Sequence, residues 1–210
     1  AVERDIIASS PIAGIKAPAA ERSRDRTLSP DELAAVWQGT YQVPDPFGAF
    51  FRMLILTGQR RNEVAGARWE EIDLDKGEWT IPAERAKNGK AHLVHLPPAP
   101  DILSTASRLD GSSLVFTTTG STSISGFSKA KAMLDRASGV TGWTIHDLRR
   151  TFATLATGEL GIEPVVVDKI LNHLSGAVTG IAAVYQRHAY LEQRREAMSR
   201  WGEYIANLSI

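Results

Sequence analysis

The hydrophobic pattern of the chain changes from helical to strand-like spacing between Glu71 and Leu96. Three short runs in this segment are rich in β-branched and aromatic residues: Ile72-Asp73-Leu74, Trp79-Thr80-Ile81 and Leu93-Val94-His95-Leu96. Asp75-Lys76-Gly77 supplies the turn between the first two runs, and the longer second connection contains Asn88-Gly89. The segment therefore predicts a small three-stranded antiparallel sheet.

Helical spacing dominates the rest of the chain. Ser29-Pro30-Asp31-Glu32 combines a capping box with proline at the first helical position. A second helix begins at Phe47, with apolar residues at i, i+3, i+4, i+7 and i+8, and stops at Gly58. Further helices are predicted after Pro98 and at 62–69, 127–137, 146–158, 164–172 and 190–205, with a short apolar run at 114–116. The expected fold is mainly α with a small three-stranded antiparallel β-sheet, in the α+β class.

Composition is that of an ordinary globular protein. The chain has 210 residues, of which 43% are hydrophobic, and it contains no cysteine, which excludes disulfides, a thiol nucleophile and cysteine metal sites. No run of eighteen apolar residues and no secretory pattern is present, so neither membrane insertion nor export is expected, and the default location is cytoplasmic. The formal net charge is zero, so any nucleic-acid footprint must be local.

The first 27 residues show no sustained hydrophobic period. They include Ser9-Ser10-Pro11 and the charged run 21–26, which is typical of a linker. We predict that residues 1–27 link the chain to a preceding, missing N-terminal DNA-binding region. Residues 28–210 are then expected to form the catalytic domain, ending in a helical tail.

Basic groups are concentrated at the start of the segment 144–154. His146, Arg149 and Arg150 lie at i, i+3 and i+4 of a predicted helix, so at least two of them share a face. Leu148 then points towards the core. Neighbouring cations repel one another, and a bound anion such as phosphate would offset that cost. A solvated basic helix face is the alternative interpretation.

Four further residues are candidates for phosphate chemistry: Arg60, Lys87, His173 and Tyr185. Arg60 would lie on a tight turn between two helices, where Glu63 could orient it, and Lys87 would lie at a hairpin tip. His173 follows a helix end, and Tyr185 competes with Tyr190 as a nucleophile. The alternatives are a surface arginine, a solvated turn lysine, a capping histidine and a packing tyrosine.

Metal and nucleotide chemistry lack their usual sequence patterns. The five histidines do not form a ligand spacing such as H-E-x-x-H with nearby carboxylates. No glycine-rich phosphate loop with Lys-Ser/Thr is present either. The sequence therefore predicts no catalytic metal and no cofactor.

The candidates occur in an order that resembles the catalytic domain of tyrosine recombinases, in particular phage and genomic-island integrases. The matching motifs are Thr57-Gly58-Gln59-Arg60 with Glu63, Ala86-Lys87-Asn88-Gly89-Lys90 on the hairpin, the H-x-L-R box His146-Asp147-Leu148-Arg149, and Leu171-Asn172-His173. The interval from His173 to Tyr185 is longer than the family's commonest spacing. The island-integrase branch resembles this arrangement, which favours Tyr185 over Tyr190.

The resemblance implies site-specific DNA recombination, which integrates or excises a prophage or another mobile element without a metal. The implied roles are nucleophile for Tyr185, general base for His146, general acid for Lys87, charge stabilisation for Arg60 and Arg149, and phosphate binding for His173. A covalent 3′-phosphotyrosyl DNA intermediate would store the energy of the broken bond. The alternatives are a type IB topoisomerase-like or telomere-resolving enzyme, and a catalytically silent DNA-binding module with this fold.

The implied partners are double-stranded attachment-site DNA and further copies of the chain, with a tetramer in the synaptic complex. Accessory DNA-bending or excision factors are also possible partners of this family. Lys129 and Lys131 are candidates for groove contacts. The C-terminal helix would dock on a neighbouring subunit by resemblance, or pack on its own domain.

Overall fold

The computed structural model describes residues 25–97, 103, 108–173 and 190–208. Its helices are α1 (Pro30–Thr40), α2 (Phe47–Thr57), α3 (Arg61–Ala65), α4 (Phe127–Ser138), α5 (Ile145–Gly158), α6 (Pro164–Ile170) and α7 (Leu191–Leu208). Its strands are β1 (Ile72–Asp73), β2 (Glu78–Ile81) and β3 (His92–His95). The predicted mainly α fold with a small sheet is thus confirmed. Within the described ranges, no helix is both long and apolar enough to cross a bilayer.

The capping box predicted for α1 is present. The Ser29 hydroxyl accepts from the Glu32 amide at 3.2 Å, and a Glu32 carboxylate oxygen accepts from the Ser29 amide at 2.9 Å. The Leu28 amide donates to the Thr151 hydroxyl at 2.9 Å, so the start of the domain is tied to α5. Arg26 pairs with Glu32, and the last residues of the predicted linker therefore already contact the domain. Residues 1–24 lie outside the described part.

The three strands form an antiparallel sheet in the order β1-β2-β3. Trp79 is the register partner of both Ile72 and Val94. Trp79, Ile81 and Val94 are buried, while Thr80 is exposed, as alternation along a half-buried strand requires. One face of the sheet therefore packs on the core, and the connection from β2 to β3 extends beyond the sheet.

The helix predicted over 62–69 is wrong beyond Ala65. Helix α3 ends at Ala65, and Trp69–Glu71 forms a separate 3-10 helix. The Trp69 amide donates to the Ser113 carbonyl at 2.9 Å, and Arg68 forms a β-bridge with Leu114. A long-range contact with the apolar run at 114–116 thus overrides the local helical spacing.

Helix α7 packs on its own domain. Trp201 is 1% exposed, its indole N–H donates to the Ile55 carbonyl at 3.1 Å, and its ring lies 4.9 Å from that of Phe152. The Arg194 guanidinium donates to the Leu93 carbonyl on β3. In this single chain, α7 is thus tied both to the helical core and to the sheet.

The close approach of α7 to the end of the sheet gives a stability prediction. A Cβ at Gly202 would lie 2.6 Å from the Pro97 Cβ, on a ring that cannot rotate away. We expect Gly202→Ala to lower the free energy of unfolding by about 1–3 kcal/mol through overpacking. Gly158→Ala, on α5, is the matched control, because a Cβ at Gly158 meets nothing within 4 Å. This substitution should raise the free energy of unfolding by about 0.5–1 kcal/mol. Urea unfolding of both variants measures the difference, and equal effects would contradict the contact.

Candidate active site

A cleft of about 900 Å³ lies where α3, the β2–β3 connection, α4 and the start of α5 meet. Six cationic and two acidic side chains line it: Arg60, Arg61, Arg85, Lys87, Lys131 and Arg149, with Glu63 and Asp135. His146 also lines the cleft. A chain of zero net charge therefore carries a local basic surface, as the sequence predicted.

Arg60 lies on the turn between α2 and α3. Helix α2 ends at Gly58, whose φ of 63° is left-handed and whose amide donates to the Leu54 carbonyl. A Cβ at Gly58 would lie 2.9 Å from Leu171 and Phe152 side-chain atoms, so a larger residue would push the turn away from the core. Glycine here lets the chain reverse close to α5 and present Arg60 at the start of α3.

Glu63 holds Arg60 and the Lys87 backbone together. Its side chain is 4% exposed and accepts from the Arg60 guanidinium, the Arg60 amide and the Lys87 amide, each at 3.2 Å. These three donors satisfy the hydrogen-bonding needs of a buried carboxylate. The sequence predicted the contact with Arg60 but not the one with the hairpin.

Arg85 anchors the base of the β2–β3 connection, a role that no sequence pattern indicated. Its guanidinium donates to both Glu71 carboxylate oxygens, at 2.9 and 2.5 Å, and to the Glu63 carbonyl at 3.1 Å. Such paired N–H contacts fix orientation as well as position. The connection that carries Lys87 is therefore fastened to the 3-10 helix before β1 and to α3.

Arg149 is buried at the back of the cleft. Its guanidinium donates to the Gly58 carbonyl at 2.8 Å and to the Leu171 carbonyl, so it joins the ends of α2 and α6. Burial and the adjacent Arg60 lower the pKa of Arg149 to about 10. The guanidinium still carries its charge at neutral pH, and its other N–H groups remain for an anion.

His146 is exposed on the first turn of α5. Desolvation lowers its pKa below the ordinary value of 6.5, and Arg150 and Arg149 lower it further. This shift favours the neutral imidazole, which is the form that accepts a proton. Arg150 itself pairs with the buried Asp147 at 3.1 Å, which agrees with a supporting role.

Three successive carbonyls at the end of α6 accept bonds from side chains of the site. The Ile170 carbonyl accepts hydrogen bonds from Gln59 and His92, both at 2.9 Å. The Leu171 carbonyl accepts one from Arg149. The Asn172 carbonyl accepts from Arg60 at 3.5 Å and from Asn88 at 3.3 Å. The last carbonyls of a helix have no partner within it and carry its negative dipole end. Sequence reasoning missed this meeting point, although a helix end beside His173 marks its place.

His173 follows these carbonyls directly. Its ring is exposed and lies 3.0 Å from an Asp168 carboxylate oxygen, through Nδ1. The structure thus places the backbone next to His173 against Arg60 and Arg149, while the ring itself contacts α6. Tyr185 lies outside the described residues.

The two lysines predicted to contact DNA have different surroundings. Lys129 is exposed on α4. Lys131 lines the cleft, pairs with Asp135 and lies 3.7 Å from the Trp143 ring centre, so its charge is partly engaged. In the part of the chain that the structure describes, no group of three or more histidine or acidic side chains could hold a metal ion.

Comparison with known proteins places the chain among integrases. The family model described as the phage integrase family matches residues 30–191. Prophage integrase IntA of Escherichia coli (strain K12) is 32% identical over 184 residues, which cover 85% of this chain and 44% of that protein. The chain thus spans less than half the length of this relative.

Two solved structures share the fold. The integrase from mycobacterium phage Brujita has a TM-score of 0.64 at 20% identity, covering all of this chain and 72% of that one. A lambda integrase (75–356) dimer bound to a COC′ core site has a TM-score of 0.62 at 20% identity, covering 86% of this chain and 70% of that one. With the family match over residues 30–191, the chain belongs to the phage integrase family.

Proposed function

We propose that the chain catalyses site-specific recombination of double-stranded DNA through a covalent phosphotyrosyl intermediate. The observation that carries this proposal is the convergence of Arg60, Lys87, His146 and Arg149 on one basic cleft. Two guanidiniums, a neutral imidazole and a primary amine are the groups that phosphoryl transfer by a tyrosine requires. The prophage integrase relative supports the same activity.

In the proposed step, the Tyr185 oxygen attacks the scissile phosphorus and the bond from phosphorus to the 5′-oxygen breaks. His146 takes the tyrosine proton, and Lys87 gives a proton to the departing 5′-oxygen, so that proton number is conserved. Arg60 and Arg149 hold the non-bridging oxygens as charge develops. Attack by another 5′-hydroxyl reverses the step and rejoins the strand without an energy source.

We further propose that the DNA partner is a double-stranded attachment site and that several copies of the chain, up to a tetramer, assemble on it. The lambda integrase neighbour is a dimer on its core site, which supports assembly on DNA. Accessory DNA-bending factors would add to this assembly. The place of action would be the cytoplasm of a bacterial cell, where a prophage and its host chromosome meet.

Covalent capture tests the proposed function without knowledge of the attachment site. The chain is incubated with a library of nicked duplexes of randomised sequence, and protein-linked DNA is purified under denaturing conditions and sequenced. Because of the nick, the short fragment that carries the freed 5′-hydroxyl diffuses away after cleavage. The strand can then no longer be rejoined, and the covalent adduct accumulates. We expect recovered DNA to carry the protein on its 3′ end and to share one sequence. The absence of an adduct would overturn the proposal, and adducts without shared sequence would point to relaxation instead.

The environment of His146 predicts a pH dependence. Because its folded pKa is below 6.5, cleavage should rise with pH through that lower pKa and level off by neutrality. Arg150→Gln removes a neighbouring cation, which raises the pKa of His146 and moves the acid limb of the rate profile to higher pH. Lys76→Gln is the control, because it also removes one cation, but from an exposed position on the β1–β2 turn. This variant should leave the acid limb of the rate profile unchanged. Adduct formation on the captured sequence is measured from pH 5 to 8. An unmoved limb in Arg150→Gln would contradict the role of His146.

A further inference from the structure

Asn88 and Asn172 form a reciprocal side-chain pair between the β2–β3 connection and the end of α6. The Asn88 amide nitrogen donates to the Asn172 side-chain oxygen at 2.8 Å, and the Asn172 amide nitrogen donates to the Asn88 oxygen at 3.3 Å. The Asn88 nitrogen also reaches the Asn172 carbonyl at 3.3 Å. Three hydrogen bonds thus join two residues that are 84 positions apart in sequence.

Asn172 has an unusual backbone. Its φ of 52° is left-handed, a conformation that asparagine adopts more readily than most side chains but at some cost. The residue lies between the Leu171 carbonyl, which binds Arg149, and His173. The chain therefore turns sharply where the end of α6 meets the site, and the paired side chain faces the hairpin.

Asn88 directly follows Lys87. The Lys87 amide is already bound to Glu63 at 3.2 Å, and Arg85 is fastened to Glu71 and α3. The pair with Asn172 fixes the chain on the other side of Lys87. Lys87 is exposed, and its backbone is thus held both before and after it.

We propose that the Asn88–Asn172 pair is a positioning device for Lys87, which sets its amine at the leaving 5′-oxygen by joining the hairpin to the end of α6. This inference rests on the proposed function, in which Lys87 is the general acid. Asn88 and Asn172 do not touch the reacting atoms and act only through the lysine.

A 5′-bridging phosphorothiolate separates this role from a structural one. In this substrate, sulfur replaces the 5′-oxygen of the captured sequence, and a thiol ionises near pH 8.5, so the leaving group needs no proton. We expect Lys87→Ala to slow adduct formation by about 10²–10⁴-fold on the oxygen substrate and to recover most of the rate on the sulfur substrate. Failure of this rescue would overturn the general-acid role, and the positioning inference with it.

Asn172→Gly is the informative variant, because glycine keeps the left-handed backbone and removes only the side-chain bonds. We expect it to slow adduct formation about 10-fold or more on the oxygen substrate, through misplacement of Lys87, and to recover on the sulfur substrate. Asn88→Ala removes all three hydrogen bonds of the pair, whereas Asn172→Gly removes two of them, so Asn88→Ala should be at least as slow on the oxygen substrate and should also recover on the sulfur substrate. The double variant should be no slower than Asn88→Ala, because the second substitution removes no further bond of the pair. Gly202→Ala controls for lost stability and should show no selective rescue.

Two results would overturn the positioning role while leaving the proposed function intact. If Lys87→Ala is rescued but Asn172→Gly is equally slow on both substrates, the pair acts on phosphate binding through His173 or Arg60. If Asn172→Gly cleaves the oxygen substrate at the wild-type rate, the pair places nothing that the reaction uses.

Discussion

Tyr185→Phe is expected to abolish covalent adduct formation while leaving DNA binding nearly unchanged. The substitution removes one oxygen, and that oxygen is the atom that would form the ester bond to the 3′-phosphate. The phenylalanine ring has no oxygen with which to form this ester. The measurement is a denaturing gel of labelled nicked duplex carrying the captured sequence, with a native binding assay on the same sample.

Tyr190→Phe is the matched control. Tyr190 precedes α7, its ring packs partly buried against the core, and its carbonyl accepts from the Arg194 amide at 2.8 Å. A tyrosine held in this way serves packing, so the variant should still form the adduct. Loss of the adduct in Tyr190→Phe together with its retention in Tyr185→Phe would move the nucleophile to Tyr190.

Arg149→Lys is expected to reduce the cleavage rate by about 10²–10³-fold, the usual cost of removing one preorganised donor to a developing charge. An ammonium keeps the charge but loses the planar fork. The Gly58 and Leu171 carbonyls are bound by two separate nitrogens of the guanidinium, which a single ammonium nitrogen would have to replace while also binding a phosphate oxygen. We expect the free energy of unfolding to fall by about 1–3 kcal/mol as well, because a buried carbonyl is left without a donor.

Two measurements keep these effects apart. Cleavage is followed at a temperature well below the unfolding midpoint of the variant, and stability is measured by urea unfolding. Arg136→Lys, at an exposed position in the last turn of α4, should change neither. If Arg149→Lys cleaves at the wild-type rate, a positive charge at this position is sufficient and the planar N–H donors of the guanidinium are not needed.

Local patterns predicted most of the fold. The capping box of Ser29 and Glu32 marks the start of α1 within one residue, and the left-handed glycine at position 58 marks the end of α2. The spacing of turns gave the antiparallel order of the sheet. The prediction was wrong after Ala65, where the contact of Trp69 with Ser113 decides the structure, because local spacing carries no information about such a distant partner.

In the candidate site, the sequence predicted the motif residues but not the residues that hold them in place. Motif residues such as Arg60, His146 and Arg149 could be named because their chemistry and order are visible in the sequence. Their supports could not, because Arg85 with Glu71 and Asn88 with Asn172 are ordinary polar residues until the fold brings them together. For Tyr185 the sequence remains the basis of the prediction.

The three carbonyls at the end of α6 make the site depend on the length of one segment more than on the identity of its side chains. Replacing Ile170 or Leu171 by another apolar residue keeps the backbone oxygens that bind His92 and Arg149. Removing one residue there would turn the following carbonyls by about 100° around the helix axis. Arg60, Arg149 and the hairpin would then lose their acceptors together, so this segment should tolerate substitutions during divergence but not insertions or deletions.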